Sequence, residues 1–250
     1  MKKFFLILSV AILLMSCQKL TVMTYNIHAS KGMDKVYDAK RIAAVIKEQA
    51  PDFVALQEVD RLTERSGKLD VFAVIKEETA MHGVFMKTFN YQGGEYGNAI
   101  LSKHPILDSK LYRLPSKQEY EPRLMMMISC LTNKGDTLYF YNTHLDHHRN
   151  DSDRPSQMEA IKALLKDKKA KMFLAGDFNC EQDSETLLIL EDFFLRAESE
   201  EFTYPSDKPD RTIDHIFYSY DQDIKFRKAK VIEETVASDH RPVVAKFYIK

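Results

Sequence analysis

The hydrophobic pattern changes period repeatedly along the chain. Leu20-Thr-Val-Met-Thr-Tyr-Asn26 is a run of strand formers. From Tyr37 to Gln49 the apolar residues Ile42, Val45 and Ile46 fall at helical spacing, and Pro51 stops that rhythm. Asp52 to Glu58 is a short apolar run closed by a carboxylate and predicts a buried strand. Leu69 to Met81 predicts a helix. Val84 to Asn90 and Tyr96 to Ser102 predict two strands about a turn at Gly93-Gly94. Glu121 to Leu131 and Thr137 to Leu145 predict two more, about Asn133-Lys-Gly-Asp136. Arg154 to Lys168 is amphipathic, with Met158, Ile161, Leu164 and Leu165 as its stripe. Lys171 to Phe178 predicts a strand and Glu185 to Phe194 a helix. Arg211 to Ser219, Lys225 to Ile232 and Pro242 to Ile249 close the chain as strands.

Strands outnumber helices, and the helices fall between strand pairs. There are no repeats and no linker that would split the chain. The pattern predicts one α/β or α+β domain over residues 20–250. One layered solution packs two sheets face to face with helices outside each.

The first residues stand apart from that domain. Lys2 and Lys3 precede an apolar run from Phe4 to Met15, too short to span a bilayer as a helix. The run ends Leu14-Met15-Ser16-Cys17, which resembles the bacterial lipobox. The resemblance implies a leader over residues 1–17, acylation of Cys17, and an exported lipoprotein anchored on the periplasmic or cell-surface side. Several acyl chains make such anchoring stable. Only Gln18 and Lys19 separate Cys17 from the first strand, so the domain is expected close against the membrane.

Composition narrows the partners. A chain of 250 residues can bury a sizeable core without a disulfide framework. With Cys17 lipidated, Cys130 and Cys180 remain, and sequence leaves open whether they pair. The formal net charge of -1 becomes -3 once Lys2 and Lys3 leave with the leader. That balance argues against a protein whose main task is gripping nucleic acid, although a local basic groove stays open. A monomer is expected.

Chemically able side chains recur at strand ends. Asn26 and His28 follow the first strand, and Glu58 ends the second. Asn98 opens Gly97-Asn-Ala-Ile-Leu-Ser102. Asn142, His144 and Asp146 lie at the end of Thr137 to Leu145. Asp177 and Asn179 end the strand Lys171 to Phe178. Asp214 lies within Thr212-Ile-Asp-His-Ile, and Asp239 and His240 within Ser238-Asp-His-Arg-Pro242. Singly, Asp and Asn after a strand are ordinary turn formers. Asp214 is harder to dismiss, because a carboxylate between Ile213 and Ile216 costs several kcal/mol (about 3–5) unless paired or metal-bound. Together, oxygen donors with two His suit a hard cation, Mg²⁺ or Mn²⁺, and suit zinc poorly.

Seven stretches in order resemble one family, the endonuclease/exonuclease/phosphatase superfamily of DNase I-like fold. They are Thr24-Tyr-Asn26, Leu56-Gln-Glu58, Gly97 to Ser102, Asn142-Thr-His144, Gly176-Asp-Phe-Asn179, Arg211-Thr-Ile-Asp214 and Ser238-Asp-His240. The resemblance covers essentially the whole mature chain. It implies a four-layer α/β/β/α sandwich with two mixed sheets inside. It implies that Asn26 and Glu58 hold a metal, with Asp239 close to the ion. His240 resembles the general base or acid, oriented by Asp214. Asp177 resembles the residue that positions or deprotonates the attacking water, and Asn179 and His144 the donors to phosphoryl oxygens. Which of Asp177 and His240 takes the proton stays open.

Some positions depart from the family pattern. His28 stands where several family nucleases carry a carboxylate, which leaves the number of metals open. The run Asp146-His-His148-Arg149 is rich in titratable groups and either shapes the substrate pocket or is a solvated loop. Arg123 either reaches a phosphate or is an exposed strand residue. Asn98, His28, Asp146 and Arg123 are thus candidate substrate contacts.

The expected activity is metal-dependent hydrolysis of a phosphoric ester, a diester by preference, on a lipid headgroup or another small phosphodiester near the membrane. The alternatives are an extracytoplasmic nuclease, an inositol-phosphate-type phosphatase, and a binding lipoprotein without activity. The fold and core motif do not choose among them.

Overall fold

Strands buried on both faces build the inner layers of the protein. The computed structural model describes residues 17–117, 120–148 and 153–250. Residues 1–16, which are all of the expected 1–17 leader but Cys17, and Arg149 lie outside the described residues, and Cys17 is exposed just before the first strand. The strand β1 (Gln18–Asn26) turns Leu20 and Val22 to one side and Met23 and Tyr25 to the other. It runs parallel to β2 (Phe53–Arg61) through the helix α1 (Ala39–Gln49). Asp38 caps α1 by accepting from the Arg41 N–H at 3.0 Å. Ala50, at φ 46°, ends it before Pro51 turns the chain.

The first sheet continues through β3 (His82–Tyr91) and β4 (Gly94–Ser102) on one side. On the other it holds β11 (Ile224–Val231) and β12 (Val243–Ile249). Its order is β11-β12-β1-β2-β4-β3. The second sheet has the order β5-β6-β7-β8-β10-β9. These strands are β5 (Asp108–Arg113), β6 (Leu124–Leu131), β7 (Thr137–His144), β8 (Lys171–Asp177), β9 (Phe194–Arg196) and β10 (Asp214–Ser219). Each sheet mixes one parallel pair, β1 with β2 and β7 with β8, into antiparallel neighbours.

Three apolar layers give the four-layer sandwich its order. Val22, Phe53, Met126, Phe140, Phe173 and Phe247 fill the space between the sheets. Ile42 and Ile46 of α1 and Ile75 of α2 (Val71–Thr79) pack on the outer face of the first sheet. Met158 and Ile161 of α3 (Asp153–Leu165) and Leu187 of α4 (Glu185–Leu188) cover the second. Every strand of the central pairs must therefore be apolar on both sides, as the continuous runs in β6 and β8 are.

The structure differs from the sequence pattern in several places. β5 is absent from it because an exposed edge strand carries no alternation. β9 is too short to register. The helix expected over Glu185 to Phe194 stops at Leu188, and Phe194 opens β9 instead. The strand expected from Glu121 begins at Leu124, and the one expected from Arg211 begins at Asp214. Cys130 lies between the sheets and Cys180 under α4, both as free thiols.

Candidate active site

Both sheets deliver their polar ends to the same pole. Asn26 ends β1, His144 ends β7, Asp177 ends β8, and Asp214 begins β10 directly opposite Asp177. His240 lies just ahead of β12. Glu58 does not end β2, as the sequence pattern has it, but sits in a break of register between Leu56 and Val59. Its backbone is left-handed, φ 56°, and this re-aims the side chain toward the cavity. Gly176 lets β8 come close to β7 beside Asp177, since a Cβ there would strike the Thr143 carbonyl.

The centre of the site is a buried network. Asn26 Nδ2 donates to Glu58 Oε1 at 3.1 Å and to Asp177 Oδ2 at 3.0 Å. Its Oδ1 accepts from the His28 N–H at 3.1 Å. Asp177 Oδ1 accepts from the Asn179 N–H at 2.9 Å. Asp177 Oδ2 also faces His144 Nε2 at 3.5 Å and His240 Nε2 at 3.7 Å. The other nitrogen of His240, Nδ1, lies 2.9 Å from Asp214 Oδ2. Asn179, at φ 50°, donates from Nδ2 to the Leu145 carbonyl at 3.1 Å.

Burial and charge set the protonation states. Burial alone would lower the pKa of His240, but Asp214 and Asp177 outweigh it and push it up to about 10. Burial, and then the Asp214 charge, raise Asp177 to about 7, against the opposing pull of His240 and the Asn26 bond. His144 is held well below the ordinary histidine value by burial, then by Arg123 and His240. At neutral pH the site thus offers an imidazolium at 240, a neutral imidazole at 144 and a carboxyl at 177 near its titration point.

These groups line a cavity of about 740 Å³, together with Glu58, Asn179, Asp239 and Arg123. Arg123 is 3% exposed rather than a surface strand residue. It reaches Glu121 Oε2 at 3.1 Å and His147 Nδ1 at 2.9 Å, and its Nε has no partner. Asn98 is buried in β4 opposite Met86 and does not line the cavity. Asp146 does not line it either, because its carboxylate is spent on His148, Nδ1 at 2.7 Å and N–H at 3.1 Å. His28 stands outside the lining with Nδ1 3.5 Å from Asp239 Oδ1.

Several lining residues carried no sequence signal. Tyr204 sets its ring, tilted by 51°, 4.8 Å from that of His240, with the Arg211 guanidinium 5.7 Å from its centre. Phe89, Tyr91 and Tyr96 form an aromatic wall beside Arg65 and Glu121. Burial pushes the Glu121 carboxyl up, against the Arg123 charge. These residues come from loops and an edge hairpin, where side-chain type says little about direction. The Glu121-Pro122-Arg123 run, charged just ahead of an apolar strand, was the one available hint.

The donor set fits a hard divalent cation. Glu58 lines the cavity and has no ion-pair partner among the described residues. Among the described residues the Asp239 carboxylate meets only the half-exposed His28 and a weak Ser238 hydroxyl contact at 3.4 Å. Asp177, Asp214 and His240 also place one atom each within 4.8 Å of one another. That trio is internally paired, however, through His240, so Glu58 and Asp239, each with one carboxylate oxygen that has no partner among the described residues, suit a cation better.

Comparisons with known proteins agree with this architecture. The model of a family described as Endonuclease/Exonuclease/phosphatase matches residues 23–240. A UPF0294 protein of Vibrio campbellii is 29% identical over 160 residues, which are 60% of this chain and 53% of that protein. The match thus spans about half the length of that relative. An endonuclease/exonuclease/phosphatase family protein of Bacteroides thetaiotaomicron superposes with a TM-score of 0.78 at 19% identity, over 94% of this chain and 99% of its own. A mannosyl-6-phosphatase of the same organism gives 0.73 at 19%, over 91% and 99%. D. rerio TDP2 in complex with a single-strand DNA product gives 0.73 at 20%, over 92% and 98%.

Proposed function

The chain belongs to the endonuclease/exonuclease/phosphatase family of phosphoester hydrolases, and from that premise we propose a divalent-metal-dependent phosphodiesterase, exported and tethered through Cys17, that cleaves a small phosphodiester, either a lipid headgroup or a soluble ester. The observation that carries the chemistry is the buried relay in which His240 lies between Asp214 at 2.9 Å and Asp177 at 3.7 Å, facing the cavity.

The roles follow from charge. A phosphodiester is anionic, so the site must offset charge before a nucleophile can approach. Mg²⁺ or Mn²⁺ held by Glu58, with Asp239 beside it and Asn26 fixing the Glu58 carboxylate, would supply a Lewis acid for the phosphoryl oxygens. Asp177, close to its titration point at neutral pH, is the group suited to accept a proton from water. His240 is held as an imidazolium and therefore donates, to a phosphoryl oxygen or to the departing alkoxide. Asp214 stabilises that charge and orients the ring. His144 and Asn179 add neutral donors at the cavity wall.

The choice of a small ester over a polymer rests on how the cavity arginines are used. Arg65 is locked on the buried Asp60 through two bonds of 2.7 and 2.8 Å. Arg123 faces Glu121, and Arg211 holds Asp210 at 2.7 Å. Arg154, the fourth arginine of the lining, donates to the Asp146 and His148 carbonyls at 3.0 and 2.8 Å. Three of the four arginine charges thus face an acid, which leaves a small positive field for a long polyanion. An exported nuclease is the second reading.

A panel of bis-p-nitrophenyl phosphate, glycerophosphodiesters, phospholipid vesicles, RNA and supercoiled DNA tests this, with Mg²⁺, Mn²⁺ or EDTA. Metal-dependent release from the small diesters, lost in His240→Ala, is the expected result. Turnover of nucleic acid alone, weakening steeply with salt, replaces it with the nuclease reading.

A further inference from the structure

The two ends of β1 differ in character, and the difference sets the direction in which a tethered molecule faces. β1 begins at Gln18, directly after Cys17, and ends at Asn26 in the catalytic network. Nine residues of strand at about 3.3 Å each separate those ends by roughly 25–30 Å. The cavity opens at the Asn26 end.

The Cys17 end gathers several turns. The Asn133 N–H donates to Gln18 Oε1 at 2.9 Å, and the Lys250 N–H donates to the Asp223 carbonyl at 2.9 Å. Lys19, Lys103, Lys134, Lys169 and Lys225 are all exposed around it. Four acids lie among them, Asp136, Asp167, Asp221 and Asp223, and two of these, Asp136 and Asp223, share Lys171 at 3.1 and 3.4 Å. Tyr220 stands 79% exposed in the turn between β10 and β11. Lysines that outnumber the acids and have no ion-pair partner among the described residues, with a projecting aromatic ring, suit the headgroup layer of an anionic bilayer.

We infer that this lysine-rich end is a docking face for an anionic membrane surface, and that the active-site mouth points away from that membrane into the aqueous phase. The inference rests on the proposed tether at Cys17. No linker lies between Cys17 and β1 that would let the domain turn over. Loops at the catalytic pole, following β1 and leading to Tyr204, carry exposed Met33, Val36 and Phe202, so a mouth-down molecule is the competing orientation. It would require the anchor to reach back along the length of β1. Of the two sources of a small phosphoester, the soluble one meets this mouth. The headgroups of the tethering bilayer do not.

The full-length chain, extracted from membranes and reconstituted in phosphatidylcholine vesicles containing phosphatidylglycerol, tests the orientation. An environment-sensitive dye is placed on Asn133→Cys or on Gln92→Cys, both exposed, while Cys130 and Cys180 are buried. Quenching by brominated lipid of the dye at 133 and not at 92 is expected. The reverse pattern, or quenching at neither site, overturns the docking face. Hydrolysis of headgroups in the same bilayer faster than of soluble glycerophosphodiesters also overturns it. The mass of the N-terminal peptide reports the tether separately, and an unmodified Cys17 removes both the tether and the orientation. In Cys17→Ser protein the lysine face acts alone. Its partition onto phosphatidylglycerol vesicles should fall at least about tenfold in Lys134→Glu/Lys169→Glu/Lys225→Glu. Equal partition onto pure phosphatidylcholine would show that the face does not read charge.

Discussion

His240 spans two buried carboxylates, with Nδ1 at 2.9 Å from Asp214 and Nε2 at 3.7 Å from Asp177. Burial opposes its charge, but the two acids dominate and hold it protonated to about pH 10. Activity should therefore persist through neutral pH and fall on the alkaline side as the imidazolium is lost. His240→Ala should lower kcat/KM by about 10³-fold. Asp214→Asn should lower it too, and should move the alkaline limb to lower pH, because the largest attraction for the proton is gone. An alkaline limb that stays in place in Asp214→Asn would show that the pair does not set it.

Asp177 predicts the acid limb. Burial and the Asp214 charge raise its pKa to about 7, and the base form is lost as pH falls through that value. Log kcat/KM should drop below about pH 7 at saturating metal. The Asn26 bond at 3.0 Å favours the carboxylate, so Asn26→Ala should shift the limb upward in pH while also lowering the rate. A downward shift would contradict the assigned role of that bond.

The inner strands and the polar strand ends were legible in the sequence because both depend on residue type alone. A strand buried on two faces has to be apolar throughout, as Phe173, Leu174 and Ala175 are. Asp214 stood out because it lies between Ile213 and Ile216. What could not be read was direction. Glu58 reads as the end of a strand, yet it projects into the cavity through a left-handed backbone in mid-strand. Asn98 lies in a matching motif and stays in the sheet, while Tyr204 and Glu121, on segments without periodicity, reach the cavity. Loop placement follows from tertiary packing, which residue type does not encode.

Metal binding should depend on Glu58. Among the described residues it faces the cavity without a cationic partner, and Asn26 alone steadies it. Glu58→Gln should weaken Mn²⁺ binding at least about tenfold by calorimetry, with the fold intact by circular dichroism. EDTA should abolish hydrolysis, and Mn²⁺ or Mg²⁺ should restore it. Unchanged Mn²⁺ affinity in Glu58→Gln would move the cation to the Asp177–Asp214–His240 group instead.

His215 predicts acid lability. It is buried beside Asp214 with Nε2 2.8 Å from the Cys180 carbonyl, and burial lowers its pKa to about 4. Its folded pKa lies below the unfolded one, so between about pH 6.5 and 4 the unfolded chain binds the extra proton. Stability from this group is complete above about pH 6.5 and is lost as pH falls toward 4, by up to about 3 kcal/mol. His144, held neutral by burial, adds in the same direction. Asp177, raised to about 7, works in the opposite direction over the same window, so the His215 share is read as a difference: relative to His215→Gln, the urea midpoint of the parent protein should drop as pH falls from about 6.5 to 4. A difference that does not change with pH would assign the acid sensitivity elsewhere.

Asn142 predicts a link between the sheets. It lies on β7, fully buried, and donates from Nδ2 to the Leu56 carbonyl of β2 and the Ala99 carbonyl of β4, each at 2.8 Å. Its Oδ1 accepts from Gln57 Nε2 at 2.7 Å. The carbonyl of Leu56 is freed just where β2 breaks register to present Glu58, so Asn142 completes the hydrogen bonding of that bulge. Asn142→Leu keeps the volume but leaves two carbonyls buried without partners and leaves Gln57 Nε2 with the Thr24 hydroxyl alone, at 3.2 Å. Each such group costs about 1–3 kcal/mol, so a loss of about 3 kcal/mol or more is expected in urea unfolding. Because the bulge also carries the proposed metal carboxylate, the same variant should weaken Mn²⁺ binding without touching the ligand itself. A stability loss under about 1 kcal/mol would mean that water satisfies those carbonyls. A stability loss with unchanged Mn²⁺ affinity would mean that the bulge holds its shape without Asn142.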